Sequence, residues 1–376
     1  MAAEEPLPDP TQLDGAPHPR ETHTLYGHTA EQAEFLQSYN SGRLHHGWLL
    51  TGPQGLGKAT LAWRLALFLL ATPDEDGGMF AAPAPTTLDI PPDHPVARRI
   101  LAGSEGRLFH LKRGPNATGS GLSQVISVEE VRKMKSFFAM SAADGGRRVA
   151  IIDSVDEMNT ASANALLKLL EEPPEKVTFF LISHQPHRLL PTIRSRCRTL
   201  RLSAMPPDDL AAALAQAGAE TAPDQVTALA ELAGGSVGAA FRLTAQEGLE
   251  LYARLVDLFS ALPRLHRGAM IRLADQMVGK ANADLFDLTL TLIDLFLARV
   301  ARAGATGQTP PEAARGEAAV LARLAPDAWA AQQWAELAQN LGNRARQGKA
   351  VNLDPAALLM DMVLAIEATA GRLAQR

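Results

Sequence analysis

A glycine loop set between an apolar strand and a helix constrains this chain more than any other feature. Gly47-Trp48-Leu49-Leu50-Thr51 reads as a short buried strand, Gly52 to Gly57 as a tight loop, and Lys58 to about Leu70 as a helix. This order suits phosphate. Successive loop N–H groups point at the anion, the helix N-terminus adds positive potential, and Lys58 reaches the terminal phosphates. Gly52, Gly55 and Gly57 are required because the backbone must turn closely against its ligand. The strand-to-helix setting gives the motif its specificity.

The loop is incomplete one residue further on. A Ser or Thr after the lysine would offer Mg²⁺ a hydroxyl, and here the residue is Ala59. Thr60 does not replace it, because neighbouring side chains on a helix point about 100° apart. The loop admits ATP or ADP, but the metal loses a ligand. A second apolar strand, Arg148 to Ile152, ends in Asp153, where an aspartate contacts Mg²⁺ through water. The next residue is Ser154, far too weak a base to polarise an attacking water. Asp156 and Glu157 lie past the strand end and read as solvated loop acids. ATP or ADP binding without hydrolysis is the expectation.

The rest of the first half alternates strand and helix. Helices are expected at 30–40, 94–102, 128–140 and 160–170, and strands at 107–112, 177–183 and 198–202, giving an α/β domain. Ser127 with Glu130 three residues on forms a capping box. Residues 1–20, rich in acids and prolines, read as a disordered tail without signal-peptide character. The segment 73–121 is proline-rich and otherwise irregular.

After Met205-Pro206 only helical patterns remain, from 207–217 to 355–374. The expected divisions are therefore 1–20, 21–204, 205–247 and 248–376. The net charge of −5 argues against coating DNA by charge alone, and 5% aromatics advertise no stacking platform. A single cysteine, Cys197, excludes internal disulfides and cysteine-built zinc sites and suits a reducing cytosol. No stretch is apolar enough to span a bilayer. A cytoplasmic protein without membrane contact is expected.

Two segments sharpen this reading: Asn164-Ala-Leu-Leu-Lys-Leu-Leu-Glu-Glu-Pro-Pro174 and Leu189-Leu-Pro-Thr-Ile-Arg-Ser-Arg-Cys197. Over roughly residues 25 to 205 the chain resembles the delta-prime subunits of bacterial DNA polymerase III clamp loaders, within the AAA+ family. The helical remainder matches only in layout. The resemblance implies a RecA-like AAA+ P-loop domain followed by a small helical lid domain and an all-α C-terminal collar. It also implies membership of a hetero-oligomeric ring with gamma/tau and delta subunits, acting on a sliding clamp and primed DNA. Delta-prime members do not hydrolyse ATP. They present the arginine of a Ser-Arg-Cys tripeptide, here Arg196, to the adjoining subunit's ATP.

The gamma/tau motors of the same assembly are the main alternative, as active ATPases. Motors carry a complete phosphate loop, an Asp-Glu pair and an arginine in a Gly-Ser-x-Arg stretch. This chain has Ala59, Ser154 and Gly238 at those places, three losses that point the same way. A nucleotide-switched adaptor outside replication is the other alternative. Many clamp-loader subunits also carry a four-cysteine zinc module after the phosphate loop, and the corresponding Pro-rich segment here has no cysteine. No zinc is expected, and His184 and His187 read as loop residues.

Arg196 stands among Arg194, Arg198 and Arg201. On charge alone this is a solvated basic edge, and the Ser-Arg-Cys context reverses that reading. If the segment is extended, 194, 196 and 198 share a face. Ser183, at the end of the 177–183 strand, matches a polar sensor beside the phosphate. It reads equally as a strand-end hydroxyl.

Overall fold

The computed structural model describes residues 7–22, 24–72, 83–116, 118–139 and 146–375. They divide into two compact units, Met1–Glu220 with Gly235–Ala239, and Thr221–Gly234 with Ala240–Arg376. The composition shift at 205 is thus not where the units part. The helix Pro207–Gln216 stays with the first unit, and residues 235–239 return to it.

In the first unit β1 (Gly47–Thr51), β2 (Leu108–Leu111), β3 (Arg148–Ile152), β4 (Val177–Ser183) and β5 (Arg198–Arg201) form one parallel sheet. The order is β2-β3-β4-β1-β5. The helices are α1 (Thr29–Asn40), α2 (Lys58–Ala71), α3 (Pro95–Leu101), α4 (Val128–Ala139), α5 (Thr160–Glu171) and α6 (Pro191–Arg194). β1 and β4 are buried along their whole length, as parallel strands covered on both faces must be. One face packs Phe35, Trp48, Leu65 and Phe68 from α1, β1 and α2. The other packs Phe138, Leu166, Phe179 and Ile193 from α4, α5, β4 and α6. This is the α/β arrangement, a parallel sheet covered by helices on both faces, expected from the sequence for this part of the chain.

Thr51 and Ser183 are register partners at the ends of β1 and β4. The chain leaves β1 into α2 on one face and leaves β4 towards α6 on the other. Such a parting opens a crevice at the carboxyl ends of the strands. The phosphate loop lies there.

Two expectations need correction. Residues 7–22 are ordered: His18 is buried edge-on to Trp63 of α2, with ring centroids 5.6 Å apart, and Asp9 pairs with Lys112. Prolines here stiffen a strap that an aromatic anchor fastens; residues 1–6 lie outside the described residues. The capping box at Ser127 is half made. The Ser127 hydroxyl accepts from Glu130 N at 3.4 Å, while the Glu130 carboxylate pairs with Lys133. Met140, Gly145 and residues 73–82 of the proline-rich segment also lie outside the described residues.

The second unit is helical. Its long helices Ala283–Thr306, Ala328–Ala350 and Pro355–Ala374 bury Phe296, Trp334 and Ile366 completely. At its centre Arg299 pairs with Glu317 at 2.7 Å and Glu231 at 3.1 Å, and Tyr252 donates to Glu317 at 2.6 Å. A buried charge requires this degree of satisfaction. Among the described residues no helix is long and apolar enough to cross a membrane.

Candidate functional site

The glycines of the loop are obligatory in this geometry. Gly52, Gly55 and Gly57 have φ of +140°, +81° and +86°. A Cβ at Gly52 would lie 2.7 Å from Leu202 O, and one at Gly55 only 2.4 Å from Ser236 Oγ. Glycine alone tolerates both the dihedrals and the crowding.

Every carbonyl from residue 52 to 56 accepts a hydrogen bond. Lys58 Nζ donates to Gly52 O at 2.7 Å and also to Pro53 O. Ser236 Oγ donates to Gln54 O at 3.0 Å, Gly238 N to Gly55 O at 3.0 Å, and His28 Nε2 to Leu56 O at 2.8 Å. The loop is therefore stapled from three sides: α2, the residue before α1, and the segment 236–238. Lys58 is 3% exposed, and its ammonium is folded onto the loop rather than held out for a phosphate. Burial lowers its pKa to about 8, against the opposing pull of Asp156 and Asp153.

The acidic side of the crevice is also engaged in internal contacts. Asp153 is buried, and burial, reinforced by Glu157, raises its pKa to about 7 despite Lys58. Ala59, on the other side, brings no hydroxyl. Ser154 adopts left-handed φ of +56°, and its hydroxyl lies 3.2 Å from His184 Nε2. Asp156 accepts from His184 N at 3.0 Å, and Glu157 pairs with Arg113 at 2.9 Å. The two acids are half-buried and engaged, not the solvated loop carboxylates expected. His184 is held neutral, its pKa lowered to about 4 by burial and then by Lys58. Ser183 Oγ is wholly buried with no hydrogen-bond partner among the described residues, which marks it as an acceptor or donor in waiting. Thr60 follows Ala59 in the first turn of α2, half-buried. The crevice thus brings together the lysine and glycines of the loop, Asp153, Ser154 and Ser183, with Ala59 at the position after the lysine.

Gly238 has a second consequence. A Cβ there would stand 3.0 Å from Gly55 Cα, so the position expected for a motor's arginine is in contact with the loop itself. Sequence reasoning missed this contact, and also His28. Nothing in a lone histidine 28 residues from Leu56 announces that it will brace a carbonyl.

Arg196 sits at the opposite end of the sheet. The backbone of Arg196 lies against Gly47, where a Cβ would meet Arg196 O at 3.2 Å, and Gly47 opens β1 while Thr51 ends it. Five residues of strand separate the two ends by roughly 13 Å. Each residue of the Ser-Arg-Cys tripeptide has its own direction. Ser195 Oγ donates to Thr192 O at 3.1 Å and closes α6, whose Ile193 is buried in the core. Cys197 turns inward against the space left by Gly47, and burial raises its thiol to about pKa 12. Arg196, between them, points outward with its side chain 36% exposed.

There its Nη2 pairs with Glu171 at 2.8 Å and its Nη1 donates to Thr192 O at 3.0 Å. The neighbouring arginines do not share a face with it. Arg194 belongs to α6, and Arg198 pairs with Glu34 at 2.9 Å and stacks over Trp48. Arg201 ends β5, exposed beside Thr51.

Residues 27–206 match the model of a family described as DNA polymerase III, delta subunit. The DNA polymerase III subunit delta′ of Pseudomonas aeruginosa is 34% identical over 230 residues, 60% of this chain and 64% of that protein. The Escherichia coli subunit delta′ is 31% identical over 210 residues, 56% and 58% of the two chains. The matched region thus spans about three fifths of these relatives' length. The gamma/tau subunit of Mycobacterium tuberculosis is 29% identical over 183 residues, 47% of this chain and 28% of that one. Among solved structures, a DNA polymerase III gamma subunit-related protein of Thermotoga maritima aligns over 89% of this chain and 99% of that one. Its TM-score is 0.41 at 17% identity.

Proposed function

We propose, from the match of residues 27–206 to the family described as DNA polymerase III, delta subunit, that the chain is the delta-prime stator of a sliding-clamp loader. It stands in a ring with gamma/tau and delta subunits and does not turn over ATP itself. Its chemical contribution is Arg196, offered to the ATP of an adjoining motor subunit while the ring loads a clamp onto primed DNA. The ring, the clamp, the DNA and the arginine's role in trans come from the resemblance; the placement of Arg196 in this chain supports that role.

The observation that carries the reading is the placement of Arg196. It lies a strand's length from its own phosphate loop and is partly exposed, with its backbone pinned by Ser195, Ile193 and Cys197. A guanidinium so placed cannot serve the pocket of its own chain. It can serve one that is brought up to it. Arginine suits the role because it remains charged and offers a planar fork of donors to phosphate oxygens. An arginine supplied in trans is worth roughly 10³–10⁵ in phosphoryl-transfer rate.

The state of the home pocket supports the same reading. ATP or ADP held there would need Lys58 to leave the carbonyls of Gly52 and Pro53 and would lack a metal hydroxyl at Ala59. Ser154 cannot act as the base, and it is already engaged with His184. The motor alternative has nothing comparable in its favour. Arg196→Ala, introduced into an assembly reconstituted with gamma/tau and delta subunits, tests the proposal. The ATPase rate should fall at least a hundredfold with assembly intact, and an unchanged rate refutes it.

A further inference from the structure

We infer that Glu171 is the positioning residue for Arg196: with the carbonyl of Thr192 it forms a two-point clamp that fixes the guanidinium plane before a neighbour's phosphates arrive. The inference rests on the reading of Arg196 given above and adds a second residue to it.

Three observations support the clamp. First, the two contacts fall on different terminal nitrogens, Nη2 on Glu171 at 2.8 Å and Nη1 on Thr192 O at 3.0 Å. Two anchor points on a planar group determine its orientation. Guanidinium has five N–H donors, and these two contacts leave several of them for phosphate oxygens.

Second, both anchors are themselves fixed. Thr192 lies in α6, tied down by the buried Ile193. Glu171 is the last residue of α5, whose Leu166, Leu169 and Leu170 are buried, and Pro173-Pro174 prevent the helix from continuing.

Third, Glu171 is badly placed for the helix that carries it. A carboxylate in the last turn meets the negative pole of the helix dipole, where a cation is favoured. Its side chain is 40% exposed, so core packing does not explain an acid there. Pairing with a guanidinium does. A flexible arginine without the clamp would have to be ordered at each encounter with nucleotide, at a cost in rate.

The contribution is modest because the pair is exposed. Losing it should slow the neighbour's chemistry about two- to fivefold. The experiment compares the reconstituted assembly carrying the wild-type chain, Glu171→Gln, Glu171→Asp, Arg196→Ala, or Glu171→Gln with Arg196→Ala. The clamp predicts a two- to fivefold lower kcat for Glu171→Gln with KM for ATP unchanged, and a rate between the two for Glu171→Asp. It predicts no additional loss when Glu171→Gln is added to Arg196→Ala. The isolated Glu171→Gln chain should be at least as heat-stable as wild type, so a slower assembly cannot be ascribed to misfolding. A wild-type kcat for Glu171→Gln beside a slow Arg196→Ala overturns the clamp alone. So does a loss by Glu171→Gln that persists in the Arg196→Ala background. A wild-type rate for Arg196→Ala overturns the arginine reading itself, and the clamp with it.

Discussion

The N–H of Gly238 donates to the carbonyl of Gly55 at 3.0 Å, joining the segment 236–238 directly to the phosphate loop. With Ser236 on Gln54 O, His28 on Leu56 O and Lys58 on Gly52 O and Pro53 O, the contact turns a loop built to face an anion into a braced structural element. The same glycines that make a phosphate cradle make this close packing possible.

Gly55→Ala should therefore be far more costly than an ordinary glycine substitution. The new Cβ would meet Ser236 Oγ at 2.4 Å on a residue with φ of +81°. Gly42 has a comparable φ of +68° with nothing within 4 Å of its Cβ, and serves as the control. Denaturant unfolding should give a loss of about 1–2 kcal/mol for Gly42→Ala from backbone conformation alone. Overpacking should add about 1–3 kcal/mol for Gly55→Ala. Equal losses would show that Ser236 moves freely away from the loop.

The strap of residues 7–22 should loosen in mild acid. Burial, then the charges of Lys112 and His18, holds His110 down to a pKa of about 3, and its Nε2 is buried without a partner. Its unfolded value is near 6.5. Between these values the unfolded chain binds the extra proton, so this group's contribution to stability is complete above pH 6.5 and declines as pH falls towards 3. Burial also lowers the pKa of His18, which acts in the same direction. Melting temperature followed from pH 7 to 4.5 should fall more steeply for the wild type than for His110→Gln. Parallel curves would contradict this assignment.

In the second unit the ion network around Arg299 should separate two kinds of loss. Tyr252→Phe removes one charge-assisted hydrogen bond to Glu317 and should cost about 1.5–3 kcal/mol in unfolding experiments. Arg299→Met leaves Glu317, fully buried, without its countercharge and should cost about 3–5 kcal/mol. The reverse order would mean that Glu317 is held mainly by the phenol.

Much of this was legible in the sequence. β1, its glycine loop and α2 appear at the expected residues because a continuous apolar run, a glycine cluster and a helical repeat each carry their own signal. The end of α5 at Pro173-Pro174 and the return of β4 are equally local. α6 was missed, since four residues between Pro191 and Ser195 are too few for any periodicity. The outward direction of Arg196 could not be read from alternation, because α6 interrupts the extended chain that alternation assumes. The strap looked disordered because composition records prolines and acids but not the meeting of His18 with Trp63 and His110. Long-range partners such as His28 and Leu56 leave no local trace.

The account predicts an asymmetry that one assay can read directly. In an assembly with gamma/tau and delta subunits, ATP hydrolysis is compared for chains carrying Arg196→Ala or Lys58→Ala. Arg196→Ala should lower the rate by two orders of magnitude or more, while Lys58→Ala, which disables only this chain's own loop, should leave it within about twofold of wild type. The opposite result, hydrolysis lost with Lys58→Ala and kept with Arg196→Ala, would establish that the chain is itself a motor.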